Sequence, residues 1–251
     1  FPMVTWINQL PKNFTGIILA NEVLDAMPIE LITYQNQQWV FKDVALAKES
    51  SEDASEDTIG FRHCLGKEVP QAMLPECLRQ QSFENGYTTE ININAKAWIN
   101  SISEILDMGI LLTIDYGFPE HEYYHSQRNQ GTVMGHYAHH AVQDPFFYPG
   151  LCDLTAHVDW TSIAKTGISS GLSLLGYTSQ AAYLLDAGIA TLLMEKVDPS
   201  NATEFMPHSN AIQKLLSEAE MGELFKVMCF GKGVPFEEGD LPGFRSRPRS
   251  L

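Results

Sequence analysis

Gly16-Ile-Ile-Leu-Ala-Asn-Glu-Val-Leu-Asp-Ala-Met-Pro28 is the stretch on which the fold turns. Ile17 to Ala20 is a continuous apolar run opened by Gly16, which predicts a short buried strand. The run breaks off on Asn21 and Glu22, and Asp25 and Pro28 follow. In an open α/β sheet, ligands bind outside the carboxyl ends of the strands. An amide and two acids just past such an end are therefore placed for chemistry. A plainer alternative makes the same residues a helix start, with Asn21 as cap and Glu22 and Asp25 on the helix dipole.

Outward from that stretch, Ile110-Leu-Leu-Thr-Ile114 predicts a second buried strand, again polar at its end in Asp115-Tyr116-Gly117. Between the two, Ile32, Tyr34, Trp39, Phe41 and Val44 flank Gln35-Asn-Gln-Gln38 and predict a hairpin. Tyr87 to Ile93 predicts a strand. Ala97, Trp98, Ile102, Ile105 and Leu106 have helix spacing over 95–108, with Gly109 as its stop. Further on, helices are expected at 159–165 (capped by Asp159), 179–186 and 211–219, and strands at 172–175 and 224–230. The alternation predicts a parallel α/β sheet. The organisation expected is sheet at 1–28, an inserted lobe at 29–94, the rest of the sheet domain at 95–235, and a tail at 236–251. Residues 118–150 are aromatic, rich in His and lack periodicity, which predicts a lid loop.

The formal charge is -15, from 31 acidic residues against 16 Lys and Arg. That field repels nucleic acid and anionic lipid and suits a cationic partner. Part of it sits in Glu49-Ser-Ser-Glu-Asp-Ala-Ser-Glu-Asp57, which predicts a solvated loop. Cys64, Cys77, Cys152 and Cys229 have neither metal spacing nor a disulfide framework and predict buried free thiols. No apolar run has the length of a membrane span, and no secretory signal pattern occurs. Residue 1 is Phe, so the chain is expected to begin inside a domain. There is no G-x-S-x-G elbow, H-E-x-x-H pair or Gly-rich phosphate loop. His136, His139 and His140 are candidate ligands for a metal hydrolase, and on a helix His136 and His140 would share a face; Gly135 disfavours a helix and no carboxylate has ligand spacing, so no metal site is expected.

Asn21-Glu-x-x-Asp-Ala-x-Pro28, Ile114-Asp-Tyr-Gly117, Arg128-x-x-Gly-Thr132, His140-x-x-x-Asp-Pro145, Pro149-Gly-x-x-Asp-Leu-Thr-Ala-His-Val-Asp159 and Met221-Gly-Glu-x-Phe225 occur in this order. Together they resemble the MidA family of S-adenosylmethionine-dependent methyltransferases, whose mitochondrial members are arginine methyltransferases needed for assembly of respiratory complex I. The resemblance implies a class I, Rossmann-like methyltransferase sheet with inserted segments. It also implies that the N-terminal strands, the Gly-rich cofactor loop and the ribose-binding acid are missing, the chain starting just before the fourth sheet strand. S-adenosyl-L-methionine is the cofactor implied, with Asn21, Glu22, Ala26 and Pro28 as contacts here. A protein substrate is implied, a respiratory complex subunit being one candidate, in the bacterial cytoplasm or, alternatively, the mitochondrial matrix.

Chemistry suggests roles for these positions. A guanidinium is a poor nucleophile, because its charge is delocalised and its pKa is above 12. Carboxylates gripping two of its nitrogens localise the charge away from the third. Glu22 and Asp25 are expected to do this, with Glu90 as a third acid and Asp115 beside Tyr116 as the wall. The lid, with Tyr137, His140 and Phe147, is expected to exclude water, and His140, Asp144 and His157 to face the cleft. The alternatives are a non-catalytic assembly protein on the same fold and the metal hydrolase.

Overall fold

The computed structural model describes residues 3–47, 60–138, 140–246 and 249–251. The acidic run Glu49–Asp57 and His139 lie outside the described residues. In chain order the first elements are β1 (Phe14–Asn21), β2 (Glu30–Gln35), β3 (Gln38–Ala47), β4 (Gly60–Glu68), α1 (Glu76–Gln80), β5 (Thr88–Ile91) and α2 (Ile93–Ile105). Then come β6 (Leu106–Phe118), α3 (Glu120–Tyr123), β7 (Met134–Tyr137), β8 (His140–Val142), β9 (Asp153–Thr155), β10 (Val158–Asp159) and α4 (Trp160–Ser169). The last are β11 (Ser173–Ser179), α5 (Gln180–Asp186), α6 (Ile189–Lys196), α7 (Ala202–Leu216) and β12 (Phe225–Lys232). They form two compact units.

The first unit, Phe1–Glu22, Lys96–Gly117 and Ile163–Leu251, holds a sheet in the order β1-β6-β12-β11. The predicted parallel pairing holds for β1 and β6; β12 runs antiparallel to both of its neighbours. All but the last residue of β12 are buried. Leu175, Val227, Cys229 and Phe244 form a core against Ile110, Leu112 and Ile114. β1 departs from the buried strand expected. It ends the strand path, and Ile17 and Leu19 are 71% and 64% exposed.

Gly109 is not a helix stop. α2 ends at Ile105 and the chain enters β6 directly. Gly109 pairs in register with Gly16, and a Cβ on it would stand 1.9 Å from the Gly16 carbonyl oxygen. The glycine is there for close approach of two strands. α7 begins nine residues before the predicted 211, and α6 carries no side-chain cap to announce it. Asp159 does cap α4, its Oδ1 accepting the Ser162 N–H at 3.0 Å. The tail is anchored, with Phe244 buried against Tyr183 and Arg249 paired with Glu223.

The second unit, Val23–Ala95 and Phe118–Ser162, holds two antiparallel sheets, β4-β3-β2-β5 and β8-β7-β9. The predicted hairpin is β2–β3. Asn36 and Gln37 have φ of 51° and 67°, which matches the primed turn that suits strand twist. Trp39 centres its core, edge-on to Tyr34 and Phe83 and donating Nε1–H to the Leu78 carbonyl at 3.1 Å. The expected unstructured lid contains α3, β7 and β8. His136 and His140 therefore lie on paired strands, with Tyr137 opposite His140, rather than on one helix face. Of the four cysteines only Cys229 is fully buried, which corrects that expectation for Cys64, Cys77 and Cys152; all four are free.

Candidate functional site

β1 delivers Asn21 and Glu22 to the carboxyl end of the parallel pair. Asn21 pairs with Ile114, and the Glu22 N–H donates to the Ile114 carbonyl at 2.9 Å. No helix follows, so the capping alternative for Asn21, Glu22 and Asp25 falls. Glu22 instead has φ of 50°, the left-handed region that costs a non-glycine residue about 1–3 kcal/mol and recurs at functional sites. Both side chains are exposed, and Asn21 Nδ2 donates to Glu22 Oε1 at 3.2 Å. Asp115 follows on the neighbouring β6, which does not end there as expected but runs on to Phe118, with Asp115 opposite Lys226 of β12. Asp115 is 1% exposed, and its Oδ1 accepts the Tyr116 N–H at 2.9 Å.

The other motif residues meet within the second unit. Asp25 is 4% exposed, and its carbonyl accepts the Ala156 N–H at 3.0 Å. Asn92 Nδ2 donates to the Leu24 carbonyl and Asn94 Nδ2 to that of Pro28, which fixes the turn bearing Ala26. Glu90 is 1% exposed. Its Oε1 accepts the Thr132 N–H at 2.6 Å and the Val133 N–H at 3.0 Å. The Tyr123 hydroxyl lies 3.2 Å from Glu90 Oε2 and 3.1 Å from the His157 carbonyl. The His157 N–H donates to Thr132 Oγ1 at 3.0 Å. Thus Glu90, the Arg128–Thr132 motif and the Thr155–Asp159 motif form one hydrogen-bonded cluster. Asp159 Oδ2 extends it by accepting the Tyr124 hydroxyl.

Burial is the main electrostatic force here. It pushes the Glu90 carboxyl up, against the pull of its backbone hydrogen bonds. Burial first and Glu90 second keep the Tyr123 phenol protonated. Cys77 is pushed up to about 12, by burial and then by Glu120 and Asp159, which leaves no reactive thiolate.

Beside the cluster a cavity of ≈ 1010 Å³ opens within the second unit. Arg128, Gln130, Gly131, Thr132 and His157 line one part of it, and Lys42, His63 and Phe146 another. The Arg128 guanidinium lies 4.1 Å over the Phe118 ring, which tilts against His157 at 5.1 Å. Phe146 packs on His63 at 4.8 Å. Burial and then the Lys42 charge lower the pKa of His63, which favours its neutral form.

Of the acids expected to grip a guanidinium, only Glu22 is exposed; Asp25 and Glu90 are buried, as is Asp115, expected as the wall. Glu90, expected as a third gripping acid, has its oxygens engaged by a loop and a tyrosine. His157 joins the cluster through its backbone. His140 stands exposed on β8 and takes no part in it. Sequence reasoning missed Tyr123, Tyr124 and Lys42. The i, i+1 tyrosine pair after Pro119 was the available signal. Among the described residues no group of three or more His, Cys, Asp and Glu side chains could hold a metal ion. No helix there is long and apolar enough to cross a membrane.

Residues 2–178 match the family described as "Putative S-adenosyl-L-methionine-dependent methyltransferase". A COG1565 superfamily member from Burkholderia thailandensis, solved bound to S-adenosyl-homocysteine, is 44% identical with a TM-score of 0.86. The match covers 99% of this chain and 61% of that one. The mitochondrial protein arginine methyltransferase NDUFAF7 homologues of Drosophila melanogaster and Caenorhabditis elegans are 25% and 27% identical over 91% and 97% of this chain. The chain spans about half the length of these curated relatives, 49% and 54%. The fold is that of the class I methyltransferases, and the chain belongs to the S-adenosylmethionine-dependent methyltransferase family that its residues 2–178 match.

Proposed function

We propose that the protein containing this chain transfers a methyl group from S-adenosylmethionine to an arginine of a protein acceptor. The observation that carries the reading is Glu22: an exposed carboxylate held in left-handed backbone at the carboxyl end of the β1–β6 pair. That is where open α/β sheets take their ligands. The arginine acceptor rests on the names of the fly and worm relatives.

The donor set at this end, an exposed amide beside an exposed carboxylate, fits a cationic ligand bearing hydroxyl groups. Asn21 and Glu22 are the residues that would hold S-adenosylmethionine, with Ala26 and Pro28 following in the chain. When bound, it supplies an electrophilic methyl group on a sulfonium sulfur. The chain's own part is electrostatic. Glu22 attracts positive charge, and in a site closed to water that attraction is far stronger than on an open surface. A carboxylate accepting two guanidinium N–H bonds holds the positive charge on those two nitrogens, leaving the lone pair of the third for the methyl group, and it can take up through one of those bonds the single proton that the transfer releases. The cavity in the second unit offers a protein segment an apolar wall with polar groups of both signs. The overall charge of -15 draws basic segments toward the protein.

The test uses the full-length gene product with methyl-labelled S-adenosylmethionine and arginine-bearing peptide libraries, read by mass spectrometry. Label on arginine supports the reading. Label on another residue type keeps the methyltransferase and removes the arginine. Tight S-adenosylmethionine binding with no transfer to any protein favours a non-catalytic binding role.

A further inference from the structure

The loop Arg128–Val133 forms a wall of the cavity, and its shape is set from beneath. Two consecutive backbone N–H groups, of Thr132 and Val133, converge on Glu90 Oε1 at 2.6 and 3.0 Å. Gly131, at φ of 75°, passes so close that a Cβ would stand 2.2 Å from that same oxygen. Thr132 then fixes His157 by accepting its N–H, and Arg128 lies over Phe118. Thr132 and Val133 are tied directly, and His157 through Thr132, to a side chain that is 1% exposed.

We infer that Glu90 is a positioning residue that holds the Arg128–Val133 loop in the shape required to bind the protein acceptor. The inference rests on the reading of the cavity as the acceptor groove. It separates Glu90 from the reacting atoms: the carboxyl shapes the wall and does not touch the substrate. The hydrogen-bond inventory adds a second point. The Tyr123 hydroxyl has one proton for two near acceptors, Glu90 Oε2 and the His157 carbonyl, with Thr132 Oγ1 a longer partner at 3.5 Å. A donor at the Glu90 Oε2 position would satisfy the phenol oxygen and free its proton for His157. Glutamine supplies such a donor while keeping Oε1 as acceptor for the loop. The shape of residue 90, not its charge, is therefore what the loop needs.

The experiment compares Glu90→Gln with Glu90→Asp. Aspartate keeps the charge but withdraws the carboxylate by about 1.5 Å, which breaks the grip on the loop. In the full-length gene product, Glu90→Asp is expected to raise the acceptor KM about tenfold, the worth of one hydrogen bond to a charged group, with kcat unchanged. Glu90→Gln is expected to match wild type in both. Hydrogen exchange of the Thr132 and Val133 amides reads the same loop without any activity: protection falls in Glu90→Asp and persists in Glu90→Gln. A Glu90→Gln protein with lost kcat and unchanged KM would make the carboxylate part of the chemistry and overturn the inference. So would wild-type protection and KM in Glu90→Asp. If Glu90→Asp does not fold, Gly131→Ala displaces the loop from the same oxygen; it is expected to raise the acceptor KM, and an unchanged KM overturns the inference. If the wild-type protein transfers no methyl group at all, the proposed function fails, and the exchange arm still decides whether Glu90 holds the loop.

Discussion

Replacing Glu22 by glycine separates a residue kept for chemistry from one kept for the fold. In the left-handed region a non-glycine residue carries about 1–2 kcal/mol of strain, and Glu22 has φ of 50°. Its N–H bond to Ile114 is a backbone bond and survives the substitution. The side-chain bond to Asn21 is at the surface, where water replaces it at little cost. Against the relief stands the extra freedom that glycine gives the unfolded chain, about 0.5–1 kcal/mol. The balance is a change from about zero to about 1.5 kcal/mol in favour of Glu22→Gly, or a melting point unchanged or raised by a few degrees. Urea unfolding of the chain, read as a midpoint at constant slope, measures it. In the full-length product, Glu22→Gln is expected to fold normally and lose methyl transfer by about a hundredfold or more, the worth of one charge-assisted bond in a transition state. A Glu22→Gly protein destabilised by more than about 1 kcal/mol would refute the strain argument. Normal turnover in Glu22→Gln would remove the carboxylate from the mechanism.

Two further outcomes follow from the same geometry. Burial raises the Glu90 pKa above its unfolded value, so its contribution is fully present below the unfolded pKa and is lost as pH rises through the folded one. The stability of Glu90→Gln relative to wild type should therefore increase as pH rises from about 4 toward neutrality; parallel stability curves for the two proteins would count against it. The open β1 strand, with Ile17 and Leu19 exposed, is an edge able to pair with another chain. Residues 1–251 alone should self-associate, and Ile17→Lys with Leu19→Lys should reduce the associated fraction in light scattering; a monodisperse wild-type monomer would contradict this.

How much of this was legible beforehand varied by segment, for physical reasons. The β2–β3 hairpin, the α4 cap at Asp159 and the strand end at Asn21 rest on local rules of turn chemistry, capping and apolar runs, and those rules read directly from sequence. Gly109 misled because a glycine after a helix and a glycine between two close strands look identical in one dimension; only the pairing with Gly16 tells them apart. At His136 and His140 four-residue spacing alone would suggest a helix face; Gly135 argued against it, and the residues belong to paired strands. Glu90 was legible as an acid of interest but not as a buried one. Its partners are two amides and a phenol more than thirty residues away, and no local pattern announces them.

The departures from local rule have one property in common. Glu22 holds a backbone conformation that glycine would hold more cheaply. Glu90 is a carboxyl inside an apolar unit, and Gly131 is the residue that lets a loop approach it. Each is a poor choice for stability alone, and each lies at a strand end or a cavity wall. A sequence that obeys its local preferences nearly everywhere and breaks them at such places is storing strain and buried polarity where a ligand can use them. The two sites differ in what they would contribute: Glu22 an exposed charge, and Glu90 a fixed shape. Mutations that preserve shape and remove charge should therefore be costly at Glu22 and harmless at Glu90. That opposition is a stricter test of the assignment than either variant alone.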